Sequence, residues 1–196
     1  YFEGANQVAD VYLNGERLGR HVGGYTAFAF ELTPRLRCDG RDLLAVRVDN
    51  RHDLDIPPLD ADFTFFGGLY RSAWLVETDP VHIDVLDHAS PGVYVDTPRI
   101  DGHAAVVRVR GVLVNRSGRT RELAIEHRIL DPSGGEVARL QSRLRVPRGG
   151  RAPFEAESAP LPSPRLWSPA TPHLYRVETR VLDGGAVRDR VDVRFG

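Results

Sequence analysis

The sequence predicts an all-β chain made of two consecutive sandwich-forming blocks. Three observations carry this. Apolar residues recur at every second position along most of the 196 residues, the spacing of strands with one buried face. Clusters of Gly, Asn, Asp, Ser and Pro interrupt the pattern at short intervals, as hairpin connections require. No stretch shows a convincing 3.6-residue period, and a chain of this length holds two domains more readily than one.

In the first block, Ala9, Val11 and Leu13 alternate with Asp10, Tyr12 and Asn14. Asn14-Gly15 then supplies the two-residue turn most favoured in hairpins, so a partner strand is expected through Leu18 toward Gly23-Gly24. Phe28, Phe30 and Leu32 read as a further strand, and Leu44, Val46 and Val48 as another after the Asp39-Gly40 turn. From Asp49 to Gly68 the pattern stops. Pro57-Pro58 and Gly67-Gly68 bracket Asp53, Asp55, Asp60 and Asp62, and a connection this long is often functional. Strand pattern resumes at Arg71–Glu77 around Trp74 and Val76, and again at Val81, Ile83 and Val85.

The second block opens after Ser90-Pro91-Gly92. Strands are read at Val107 and Val109, at Leu123 to Ile129, at Leu140 to Val146, at Tyr175 to Val181 and at Val191 to Phe195. Turns fall at Asn115–Gly118, Ser133-Gly134-Gly135, Gly149-Gly150 and Asp183-Gly184-Gly185. About seven strands in roughly 100 residues is the pattern of an immunoglobulin-like sandwich, here without its disulfide. The predicted blocks are 1–88 and 89–196.

Composition bounds the function. All 26 basic residues are Arg, the acidic residues number 27, and the formal net charge of −1 leaves no electrostatic footprint for nucleic acid or an anionic membrane. No apolar run approaches the roughly 18 residues of a spanning helix. Cys38 is alone, which excludes an internal disulfide and a Cys-based metal motif. The seven His form no zinc spacing, no Gly-x-Ser-x-Gly elbow occurs, and the glycine pairs do not precede helices. Asn115-Arg116-Ser117 is a formal glycosylation acceptor. The compartment stays open, and the absence of Met is expected of a chain that starts within a longer protein or after processing.

The loop with Asp53, Asp55, Asp60 and Asp62 beside Phe63, Phe65, Phe66 and Tyr70 is the strongest local candidate. Carboxylates accept hydroxyl protons, and aromatic faces pack on the C–H face of a sugar ring. The same residues also read as a solvated acidic loop pinned by a buried aromatic cluster. A hard cation would use such oxygens too, although the spacing matches no EF-hand loop. His52 borders the loop, and His21 flanks a glycine turn. His127, on the face of Leu123, Ile125 and Ile129, reads as a core or edge histidine.

Four segments together resemble the accessory domains of family 2 glycoside hydrolases, the group of β-galactosidases, β-glucuronidases and β-mannosidases. They are Phe2-Glu3-Gly4-Ala5 with Val11–Gly15, Leu18–Tyr25 and Phe30–Thr33; Leu44–Asn50; Asp62-Phe63 leading to Phe66–Arg71; and Leu166-Trp167-Ser168-Pro169 with Pro172–Tyr175. The resemblance implies that 1–88 is the latter part of a sugar-binding jelly roll and 89–196 the immunoglobulin-like domain. It further implies about a hundred residues before Tyr1, and a catalytic barrel after Arg194-Phe195-Gly196. Such enzymes are retaining, with two Glu in the barrel, one protonating the leaving oxygen and one attacking the anomeric carbon. None of Asn6, Asn14, Asn50 or Asn115 is followed by the Glu that the acid/base motif needs, so no catalytic residue is assigned.

The resemblance carries over one binding position, Asp62, which in galactosidase-type members reaches the mouth of the barrel and contacts the sugar. Asp60 and His52 are candidates for the same rim; Tyr70 and Arg71 are expected to anchor the loop. No cofactor or metal is expected. The expected partner is a β-glycoside, met through the barrel, and a homo-oligomer is compatible with this. The leading reading is a non-catalytic segment of a β-glycosidase, a β-galactosidase in the first place. A free-standing carbohydrate-binding module is the alternative, and tandem adhesive domains a third that leaves the loop unexplained.

Overall fold

A computed structural model describes residues 1–196. The chain is all-β apart from one 3₁₀ turn at Thr33–Arg35, and it divides into two compact units. One comprises Tyr1–Val76 with Leu86–Ser90, the other Glu77–Val85 with Pro91–Gly196.

The first unit is built on a three-stranded antiparallel sheet of β1 (Val8–Leu13), β2 (Glu16–Val22) and β3 (Leu44–Asp49), in the order β2-β1-β3. Asn14 and Gly15 both have positive φ, 55° and 85°, as the tight β1–β2 turn demands. Ala9 and Val11 are fully buried with Phe2, Ala5 and Phe28, and Leu18, Phe30, Val46 and Val48 pack against them. The Phe2 and Phe28 rings stack at 4.8 Å. On the opposite face of β1, Asp10 is buried and accepts hydrogen bonds from Arg17 (2.7 and 3.0 Å) and Arg20 (both 2.9 Å). These arginines, Arg20 foremost, hold the Asp10 carboxyl at about 2, well below the usual carboxylate range.

Two expected strands are not strands. Phe28 and Ala73 each form only a single bridge, both to Phe2, and Trp74, Leu75 and Val76 are exposed. The alternation of Phe28 and Phe30 instead reflects rings laid over Phe2 and over Gly19, where a Cβ would stand 2.4 Å from the Phe30 ring.

The second unit is a two-sheet sandwich. In one sheet the long β6 (Ala104–Asn115) pairs with β4 (Val81–Ile83) and β5 (Val93–Ile100), and with β9 (Arg151–Glu157) and β10 (Leu161–Pro162). The facing sheet has the order β12-β11-β7-β8, with β7 at Arg121–Leu130, β8 at Glu136–Val146, β11 at Tyr175–Asp183 and β12 at Ala186–Phe195. Ile83, Val93, Val109 and Leu113 of the first meet Leu123, Ile125, Ile129, Val177 and Val181 of the second in one core. At roughly 25 cal/mol per Å², each such side chain contributes about 1.5–3 kcal/mol on burial.

His127 lies wholly inside this core, its Nδ1 bonded to Thr179 Oγ1 at 2.9 Å and its Nε2 without a partner. Burial pushes its pKa down to about 4. Asn115 is also fully buried: its Nδ2 faces the carbonyls of Arg119, Val146 and Pro147 at 2.9–3.1 Å, and its Oδ1 accepts from Ser117. The formal glycosylation acceptor is therefore a structural plug, closed to modification in the folded chain.

Candidate functional site

The loop leaving β3 is fixed at both ends by the segment that precedes β1. On one leg, Gln7 donates from Nε2 to the Arg51 carbonyl at 2.5 Å and from its backbone N–H to the Asp49 carbonyl at 3.1 Å. On the other, Asn6 donates from Nδ2 to the Phe66 carbonyl at 2.7 Å and exchanges backbone hydrogen bonds of 3.0 Å with Gly68. Asn6 and Gln7 are both buried, so leaving either side chain unpaired would cost on the order of 1–3 kcal/mol.

The loop's own residues complete its frame. Asp49 accepts Arg51 Nε and a second guanidinium nitrogen at 3.0 and 2.7 Å, together with the Arg51 backbone N–H at 3.1 Å. These bonds hold its carboxyl at about 2, the Arg51 side chain contributing most. Asp53 Oδ1 accepts the Asp55 N–H at 3.0 Å, and Ile56 is the one buried side chain between Asn50 and Pro80. At the return, Gly67 passes so close to Asn50 that a Cβ would stand 2.5 Å from its side chain, and Gly68 has φ +91°. Tyr70 sends its hydroxyl to the Gly24 carbonyl at 2.5 Å, and the Arg71 guanidinium lies 5.4 Å from the Tyr70 ring centroid. The Gly67–Arg71 motif is thus a tight turn and an anchor.

What this frame presents is exposed. Asp60, Asp62 and His52 all lie on the surface of the loop, and none makes a hydrogen bond or ion pair within the chain. They share the loop without being joined to one another. The aromatic residues are not the buried cluster that one reading expected. Phe63 and Phe65 meet edge to face at 5.1 Å while remaining exposed, and Phe66 is 73% exposed. The loop owes its shape to Asn6 and Gln7 rather than to an aromatic core. No three His, Cys, Asp or Glu side chains converge as a metal site would need.

His21 serves the packing of the first unit. Its ring stacks on Phe28 at 4.4 Å, its Nε2 lies 3.1 Å from Thr26 Oγ1, and burial lowers its pKa. Asn6 and Gln7 are the site residues that sequence reasoning missed, because each acts on a carbonyl 60 or 44 positions away and belongs to no motif.

Free carboxylates beside exposed aromatic rings can accept hydroxyl protons and cover the apolar face of a sugar. A sheet unit carrying such a loop, followed in the chain by a two-sheet sandwich, places the chain among β-sandwich proteins with an exposed acidic and aromatic loop. The family follows from comparison: the model of Glycosyl hydrolases family 2 matches residues 82–196, and the chain belongs to that family. It is 35% identical over its full length to a β-glucuronidase of Bacteroides fragilis and 31% identical to the β-galactosidase BoGH2A of Bacteroides ovatus. Of these two relatives it spans only 28% and 22%. A crystal structure of a Bacteroides uniformis β-glucuronidase superposes on the whole chain with a TM-score of 0.93 at 36% identity, the match covering 23% of that protein.

Proposed function

We propose that this chain is the non-catalytic β-sandwich portion of a retaining glycoside hydrolase acting on β-glycosides. Of the two blocks read at 1–88 and 89–196, the first serves as the latter part of a sugar-binding jelly roll and the second as an immunoglobulin-like support, the second also taking in the β4 segment Glu77–Val85, which packs in its core. The observation that carries this reading is the loop from Asp49 to Gly68. It is tied down at both legs, yet it leaves the Asp60 and Asp62 carboxylates unpaired and exposed beside Phe63, Phe65 and Phe66. A carboxylate held this way accepts two hydroxyl protons in charge-assisted bonds and so orients a sugar toward the catalytic groups. Asp62 is the principal contact, with Asp60 and His52 on the same rim. The hydrolysed glycoside is a β-galactoside in the first place; the relatives named for β-glucuronidase activity make a β-glucuronide the competing substrate.

The test is kinetic. In the full-length enzyme, Asp62→Ala should lower kcat/KM for an aryl β-galactoside at least tenfold, the loss of about 1.4 kcal/mol or more of transition-state stabilisation. Unchanged kinetics on both the galactoside and the glucuronide would remove Asp62 from the site. Sugar binding to the 196-residue chain by itself, with no effect on hydrolysis, would favour the binding-module reading.

A further inference from the structure

The outward face of the β12-β11-β7-β8 sheet carries an unusual arrangement of arginines. Arg176 and Arg180 of β11 stand directly opposite Arg194 and Arg190 of β12. Residues so placed have Cβ atoms about 4.5–5.5 Å apart, and like charges there repel. At the Arg180/Arg190 pair the repulsion is relieved from within the sheet. Glu178, only 5% exposed, brings its carboxylate to 3.5 Å from Arg180 and 3.4 Å from Arg190, and also to 3.0 Å from Arg128 and 3.2 Å from Arg176.

The second pair has no such relief. Arg176 leans on the already shared Glu178, and Arg194 has no acid partner at all. The nearest acid on its own strand face, Asp192, is engaged by Arg190 at 3.0 and 3.1 Å. Arg176 and Arg194 instead line a cleft of about 480 Å³ whose other walls include Asp131 and His173. Asp131 Oδ1 is taken up by Ser133 and Gly135, and these bonds keep the carboxyl ionised, Ser133 contributing most. His173 Nε2 lies 3.3 Å from Arg165 Nη2, which can only donate, so Nε2 accepts and the ring N–H is at Nδ1.

We propose that this cleft binds the carboxylate-bearing unit of an acidic saccharide. The ligand's carboxylate lies between Arg176 and Arg194, as the Glu178 carboxylate lies between Arg180 and Arg190. A hydroxyl donates to Asp131, and the His173 Nδ1–H donates to a second ligand oxygen. A simple anion would meet the Asp131 charge unfavourably; a ligand that joins a carboxylate to hydroxyl donors satisfies both signs. The site is built from residues of the second unit alone, and its existence does not depend on what the Asp62 loop of the first unit contacts.

The 196-residue chain is titrated by calorimetry with methyl β-D-glucuronide and, in parallel, methyl β-D-glucoside, the same sugar without the carboxylate. The glucuronide should bind with a Kd on the order of 1 mM, weakening as salt is raised, and the glucoside should not bind measurably. Arg194→Ala should weaken glucuronide binding about tenfold or more, whereas Arg143→Ala, on the same face in β8, should leave it unchanged. Asp62→Ala should also have no effect, which separates this site from the proposed rim. Glucuronide binding that survives Arg194→Ala, equal binding of both sugars, or equal competition by sodium acetate would each overturn the proposal. A rise in Tm with glucuronide but not glucoside, lost in Arg194→Ala, is the second readout in its favour.

Discussion

His127 makes the second unit sensitive to pH in a window that lies above that of the chain's most strongly depressed carboxylates. The ring is fully buried, its Nδ1 is occupied by Thr179, and its Nε2 has no partner to receive a proton's charge. Its pKa is about 4 in the folded chain against an ordinary value of 6.5. Between these values the unfolded chain binds the proton and the folded chain does not, so stability falls as pH drops from about 6.5 to about 4. At 1.36 kcal/mol per pKa unit, the total is about 3 kcal/mol, a large share of a typical domain's stability. The carboxylates held near 2, Asp10, Asp49 and Glu136, act lower, between about pH 4.5 and 2. The assay is urea unfolding at pH 7, 5.5 and 4.5, for the native sequence and for His127→Gln, whose amide can still meet Thr179 but does not titrate. His21 of the first unit, also shifted down by burial, contributes equally to both proteins and drops out of the comparison. The variant should be less stable at pH 7, yet lose markedly less on going to pH 4.5. Parallel pH profiles, or an NMR titration placing His127 near 6.5, would refute the reasoning.

Three further outcomes follow from single contacts. Gly68→Ala places a side chain at φ +91° and should destabilise the return of the loop by about 1–2 kcal/mol, read as faster amide exchange and proteolysis between residues 50 and 70. Asp10→Asn removes the negative charge shared by Arg17 and Arg20 and replaces one of its two acceptor oxygens with a donor. It should lower the first unit's urea midpoint at pH 7, with the difference from the native sequence shrinking as pH falls toward 2. Asn115→Ala should cost about 1–3 kcal/mol in the second unit, because the buried Val146 carbonyl loses its donor, and expression in a glycosylating host should leave Asn115 bare.

Alternation made most of the fold legible wherever a strand buries one face. β1, β3, β6, β7, β8, β11 and β12 all show it, and Asn14-Gly15 marks its hairpin outright. β5 and β9 escaped because Asp96-Thr97-Pro98 breaks the first, and small or charged residues with Pro153 fill the second. Phe28–Leu32 and Arg71–Glu77 misled because aromatic residues there pack on, or project from, segments with almost no ladder. At the site, the acidic loop was visible as a break in pattern, and Asp62 was singled out only through the family resemblance. Its anchors were not visible: Asn6 and Gln7 work by reaching distant carbonyls, which no local spacing encodes. The opposed arginines of β11 and β12 likewise become a feature only once the register is known.

The central claim, that the Asp49–Gly68 loop touches the sugar, can be read directly by carbodiimide labelling of carboxylates in the full-length enzyme, with and without a saturating competitive inhibitor. The account predicts that Asp62 loses most of its labelling when the inhibitor is bound, Asp60 to a lesser degree, and that exposed Asp39 in the same unit is labelled equally in both states. Equal labelling of Asp62 with and without inhibitor would contradict it.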